Sequence, residues 1–225
     1  MKQTGNLLII ALGIAVGAGG GLLLARSGLI NWRPSGEEKL RDLSVASPGA
    51  EPPHARGDIN APVTVEEFAD FQCPPCNAFH YDLRMIEVEY GSRVRVIFRN
   101  YPLQRIHKNA LLAARASEAA DMQGHFWEMH DRLYETQDQW GEATDARQRF
   151  VGYARDLRLN VEKFERDLDG EQTAQRVAAD YERGQSIEIN GTPTIFINGR
   201  EIPKESITAN GIRGTIDAAL KERSR

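Results

Sequence analysis

Two cysteines, three positions apart, constrain this chain more than any other feature: Cys73-Pro74-Pro75-Cys76. They are the only cysteines among 225 residues. A single short-range pair cannot build the disulfide framework of a small secreted domain. A bridge between them would close a loop too short to restrict the unfolded chain much. The motif also sits at a junction. Upstream, Val63-Thr64-Val65-Glu66-Glu67-Phe68-Ala69-Asp70-Phe71 is rich in β-branched and aromatic residues and reads as a strand. Downstream, Phe79, Leu83, Ile86 and Tyr90 fall on one helix face, and Gly91 marks the end.

A cysteine where a strand ends and a helix begins has defined chemistry. Cys73 occupies the N-cap position, facing unpaired N–H groups and the positive end of the helix dipole. That lowers its thiol pKa, and the thiolate is the nucleophile. Cys76 lies one turn along, more sheltered, placed to resolve a mixed disulfide on Cys73. Pro74 and Pro75 fit the first helical turn but remove two N–H donors. The amides of Cys76 and Asn77 are then the main donors left, so the thiolate should be stabilised less than in a Cys-Pro-His-Cys loop. Half of a zinc site is a rival reading, but no second Cys-x-x-Cys completes it. A Cys73/Cys76/His80 set lacks a fourth ligand. We therefore expect no metal, and we read His80 as a half-exposed helix residue.

The pattern continues past Gly91. Val94, Val96 and Phe98 alternate with Arg93, Arg95 and Arg99, giving a second strand, parallel to the first by the strand–helix–strand rule. From about 105 to 187 only helical stripes follow, an inserted helical subdomain. Thr194-Ile195-Phe196-Ile197, Asn198-Gly199 and Arg200-Glu201-Ile202 read as a hairpin. Ile212, Ile216, Ala219 and Leu220 give a final helix.

At the other end, Leu7 to Ala25 is uncharged and apolar or small throughout. As a helix it would span roughly 28 Å, about the hydrocarbon thickness of a bilayer. We read residues 1–26 as a membrane anchor, with a cleaved signal sequence as the alternative, since Leu23 stands where a cleavage site needs a small residue. Gly13, Gly17 and Gly21 share one face, as in paired membrane helices. Flanking charges are nearly balanced and do not set orientation. A lasting disulfide cycle belongs outside the reducing cytosol, which places the domain in the periplasm or exterior. Residues 27–57 hold Pro34, Pro48, Pro52 and Pro53 and read as a flexible tether with a short helix near Glu37–Leu43. The net charge of −4 offers no basic field for nucleic acid.

These blocks, taken in order, resemble the DsbA-like thioredoxin family. The likeness runs from Gly57-Asp58-Ile59-Asn60-Ala61-Pro62 through the Cys motif, then Arg99-Asn100-Tyr101-Pro102-Leu103, His107-Lys108-Asn109-Ala110 and Gly124-His125-Phe126-Trp127-Glu128-Met129-His130. It covers about residues 57–222. The resemblance implies an α/β thioredoxin-like fold with an inserted helical subdomain, residues 58–225 forming the domain. It implies a thiol–disulfide oxidoreductase acting on protein thiols, with the Cys73–Cys76 disulfide as its redox group and no organic cofactor. A membrane redox partner would recharge the pair. Oxidase, reductase and isomerase directions all remain open, and a non-catalytic adaptor or metal-binding module is the alternative function. The family's cis-proline loop matches Gly191-Thr192-Pro193-Thr194, making Pro193 the cis residue and Thr192 the backbone contact for an extended substrate. Its buried acid matches Glu67, with Asp70 as the rival and Glu66 on the opposite strand face. Trp127, Met129 and His130 match a block that we read as packing.

Overall fold

A computed structural model describes residues 41–223. The anchor, the glycine face and the tether up to residue 40 lie outside these. No helix among the described residues is long and apolar enough to cross a membrane.

Five strands form one sheet in the order β1-β3-β2-β4-β5: β1 His54–Gly57, β2 Val63–Ala69, β3 Val94–Asn100, β4 Thr194–Ile197 and β5 Arg200–Glu201. β2 and β3 run parallel, joined by helix α1, Pro74–Tyr90. Gly91, at φ 53°, ends that helix in a conformation open to glycine. Between β3 and β4 come helices α2 Ala110–Asp121, α3 Phe126–Glu135, α4 Gln137–Trp140, α5 Ala146–Asp156, α6 Val161–Leu168 and α7 Glu171–Ser186. The chain returns through the β4–β5 hairpin, whose turn residues Asn198 and Gly199 both have positive φ (48° and 83°), as this hairpin type requires. Helix α8, Ala209–Arg223, closes the domain.

Strand period sorts the core into two layers. Val63, Val65, Val94, Val96, Ile195 and Ile197 pack with Phe79, Leu83 and Ile86 of α1 and Ile212 and Ile216 of α8. On the other face, Phe68 and Phe196 meet Tyr101, Ile187 and Ile189. A third cluster fills the helical insertion and reaches Phe71, Cys73 and Cys76. The active loop is thus packed between sheet and insertion.

The expected tether does not extend to residue 57. His54–Gly57 pairs antiparallel with β3, and His54 stacks on Phe126 at 3.5 Å. Upstream, Arg41 Nη1 binds Glu201 Oε1 at 2.6 Å, Leu43 N donates to Gly199 O at 3.0 Å, and Leu43–Val45 forms a 3-10 turn. Apart from that turn, the contacts are long-range, so local sequence carries no signal for them. Arg99 too owes its place to long-range contacts. It lies on the sheet's far face but is buried, binding Glu66 at 2.8 Å and Asp180 at 3.0 Å. The reading of His80 is corrected as well, since it is buried rather than half-exposed.

Candidate active site

The sheet brings two loops together. β2 ends in the Cys73 loop, and β4 pairs antiparallel to β2 with Phe68 opposite Thr194. The residues preceding β4 therefore arrive at the end of the sheet where β2 delivers Cys73. The Thr192–Pro193 peptide there is cis. Cys73 is the N-cap of α1, with Pro74 and Pro75 as its first two helical residues. Its thiol donates to Thr192 O at 3.3 Å. A cavity of about 380 Å³ opens beside this contact, lined by Pro75, Phe79, Thr192, Pro193 and Ile207 among others.

The two sulfurs are unbonded thiols in unequal surroundings. The S–H of Cys76 hydrogen-bonds the Cys73 sulfur and lowers its pKa to about 6; burial opposes this, and the Cys76 amide adds to the lowering. Cys76 is fully buried, and burial first, then its neighbour Cys73, push its pKa well up. The Asn77 amide, expected among the donors to the thiolate, instead closes the helix turn onto Cys73 O at 3.1 Å.

Glu67 shares the α1-facing side of β2, in register with Phe98 and Ile195. It is buried, and its Oε1 has no hydrogen-bond partner. Burial, then the charge of Cys73, raises its pKa to about 8. Glu66 lies on the opposite face, held by Arg99 and Arg183. Asp70 is fully engaged: Oδ1 accepts from Gln72 N at 2.7 Å, and Oδ2 from Leu103 N at 2.8 Å, with His107 Nδ1 at 2.7 Å. It ties the entrance of the loop to the segment after β3. Trp127 packs against both main clusters, and Met129 is fully buried.

One positioning residue escaped the sequence. Gln137 of α4 donates to Phe71 O at 2.7 Å and Cys73 O at 3.1 Å, and its Oε1 accepts from Asn77 Nδ2 at 3.3 Å. A lone glutamine in a helical stretch reads as surface, so no local pattern could have marked it.

With this geometry in view, the profile described as thioredoxin matches residues 50–218. The chain belongs to the thioredoxin family. Among solved structures, oxidised BdbD from Bacillus subtilis superposes with a TM-score of 0.67 at 29% identity, covering 78% of this chain and 98% of that one. A thioredoxin-like oxidoreductase from Silicibacter pomeroyi gives 0.63 at 25% identity, covering 75% and 92%. The alpha-DsbA1 of Wolbachia pipientis gives 0.67 at 19%, covering 80% and 96%, a likeness of fold. Curated relatives include Na(+)/H(+) antiporter NhaA 3 of Salinispora tropica, 43% identical over 147 residues. That match covers 65% of this chain and 22% of the relative, so this chain corresponds to only a part of those longer proteins.

Proposed function

We propose that this protein is a thiol–disulfide oxidoreductase that exchanges disulfides with proteins of the cell envelope through Cys73 and Cys76. The observation that carries the reading is the pairing of unlike sulfurs: Cys73 at a helix start against Thr192 O, with Cys76 buried behind it. In the reductive direction, the Cys73 thiolate attacks a substrate disulfide. A bond forms between Cys73 and one substrate sulfur, and the other substrate sulfur leaves and takes a proton. Cys76 then gives its proton to ionised Glu67 and attacks Cys73. The Cys73–Cys76 bond forms, the mixed disulfide breaks, and the second substrate sulfur leaves as a thiolate that takes a proton from water, so the substrate departs reduced by two electrons. Run backwards, the same steps oxidise a substrate dithiol. Both electrons reside on the sulfurs, so the step needs no organic cofactor.

An extended substrate would displace the Cys73 thiol from Thr192 O and pair its own backbone there. A Cys73 pKa of about 6 lies between thioredoxin's ~7 and the strong oxidant DsbA's ~3.5. The reduced form is then less favoured than in that oxidant, and the couple is less oxidising.

We further propose that residues 7–25 anchor the domain to the inner membrane, with the sulfurs on the periplasmic side and a membrane redox partner renewing them. Related sequence within proteins named as antiporters supports a place at the membrane. Insulin reduction by the full chain tests the catalytic reading: wild type should precipitate the B chain, Cys73→Ser should not, and Cys76→Ser should accumulate mixed disulfide. Equal activity in Cys73→Ser would sink it. Protease accessibility in spheroplasts tests the location.

A further inference from the structure

Behind the dithiol lies a cluster that the exchange reaction does not use. His80 follows Cys76 by one turn of α1, and its side chain is only 5% exposed. Neither ring nitrogen makes a hydrogen bond to any described residue. Its Nδ1 points to Asp131 Oδ1 at 4.0 Å, and His130 Nδ1 meets the same oxygen at 2.8 Å. The two imidazoles lie 5.4 Å apart. One ligand atom from each of the three residues falls within 4.8 Å of the other two. An ion among these three atoms would bridge the 4.0 Å gap between His80 and Asp131.

We propose that His80, His130 and Asp131 bind a divalent transition-metal ion of the zinc type, separate from the redox sulfurs. Two imidazoles and one carboxylate suit such an ion, with water in the open position, whereas calcium and magnesium favour all-oxygen sets. Burial holds both rings near pKa 4, hence in the neutral form that ligates metal. Asp131, a quarter exposed, provides the route for the ion and its water. Two arginines compete for that carboxylate. Arg56 Nη1 stands 3.4 Å from it, but its short bonds, at 2.6 and 2.7 Å, go to Glu87. Arg84 Nη1 is 3.8 Å away on a half-exposed side chain. Both have somewhere else to go when an ion takes Asp131. The other cluster of this kind, His54, Glu118 and Asp121, differs on this point. There Glu118 already accepts from Asn100 at 2.8 Å and Arg176 at 2.6 Å, with His54 at 2.9 Å.

The test titrates the full chain, with its disulfide formed so that thiolates cannot bind, against Co²⁺ by visible absorption and Zn²⁺ by competition. We expect one ion per chain. Affinity should fall at least about tenfold in His80→Gln and Asp131→Asn, and survive in the Cys73→Ser/Cys76→Ser double variant. If His80→Gln loses its cooperative melt, Asp131→Asn, at the exposed edge, decides alone. Failure of the oxidised wild type to bind, or an affinity unchanged by Asp131→Asn, overturns the proposal. So does binding that disappears only with the cysteines. Insulin reduction by the metal-free chain reads the dithiol independently.

Discussion

Glu67→Gln separates the buried acid from every other titrating group. Glu67 has a pKa of about 8 in the reduced native protein against 4.5 for the free side chain, chiefly because burial penalises its charge. Between those values the native state holds a proton that the unfolded chain has released. Wild-type stability must then fall as pH rises, by roughly 1.4 kcal/mol per pH unit for one proton. Over the whole interval the loss is on the order of 5 kcal/mol. The amide does not titrate. It leaves a buried NH₂ short of partners, a cost of about 1–3 kcal/mol that is independent of pH. Cys73 and Cys76 titrate in both proteins, so their contributions largely cancel in the difference. Equilibrium urea unfolding under reductant, from pH 5 to 9, measures it. The stability of Glu67→Gln minus that of wild type should climb with pH up to about 8 and then level. A difference flat across that range would mean that the carboxyl stays ionised in the native state at its ordinary low pKa, too weak a base to be matched to the Cys76 thiol.

Iodoacetamide alkylation of the reduced chain reads Cys73 directly, since Cys73 keeps 5% exposure while Cys76 has none and its thiol pKa is pushed well up by burial. Its pH midpoint should be about 6, leaving about nine-tenths thiolate at pH 7; a midpoint near 8.5 would remove the nucleophile, and one near 3.5 would restore a strong oxidant. Gln137→Leu should cost about 1–3 kcal/mol by leaving the Phe71 carbonyl without the Gln137 donor and Cys73 O with the Asn77 amide alone. It should also raise the Cys73 alkylation midpoint, because the loop that aims the Cys76 donors is no longer held. An unchanged midpoint would reduce Gln137 to a packing residue.

The parts of the site that were legible in the sequence are those written in local periodicity. Val63, Val65 and Glu67 fall on one strand face by alternation, and Phe79, Leu83 and Ile86 on one helix face; that Glu67 is the acid beneath the motif came from the family resemblance, with alternation only setting Glu66 on the opposite face. β1 was not legible in this way. His54-Ala55-Arg56-Gly57 follows two prolines and shows no apolar alternation; its order comes from β3, Glu118 and Phe126, all distant in sequence. Arg99 is the same kind of case. Charge at an alternating position reads as a solvated face, and only folding brings Glu66 and Asp180 to it. His80 followed a similar course, because its burial depends on Tyr134 and His130 of α3.

The two prolines give the pair a timing that neither cysteine has alone. With no N–H on Pro74 or Pro75, and the Asn77 amide committed to Cys73 O, the thiolate depends on Cys76, through its S–H above all and its amide. In the proposed exchange, the group that stabilises the attacking sulfur is therefore the group that later becomes the resolving nucleophile. While Cys76 keeps its proton, Cys73 is ionised and ready. Once Cys73 is bonded to substrate it carries no charge, and the S–H of Cys76 has no thiolate left to serve. The repulsion that Cys73 exerted on both Cys76 and Glu67 disappears at the same moment. Loss of that charge eases ionisation of Cys76 and of Glu67 alike, so the mixed disulfide itself prepares the second attack.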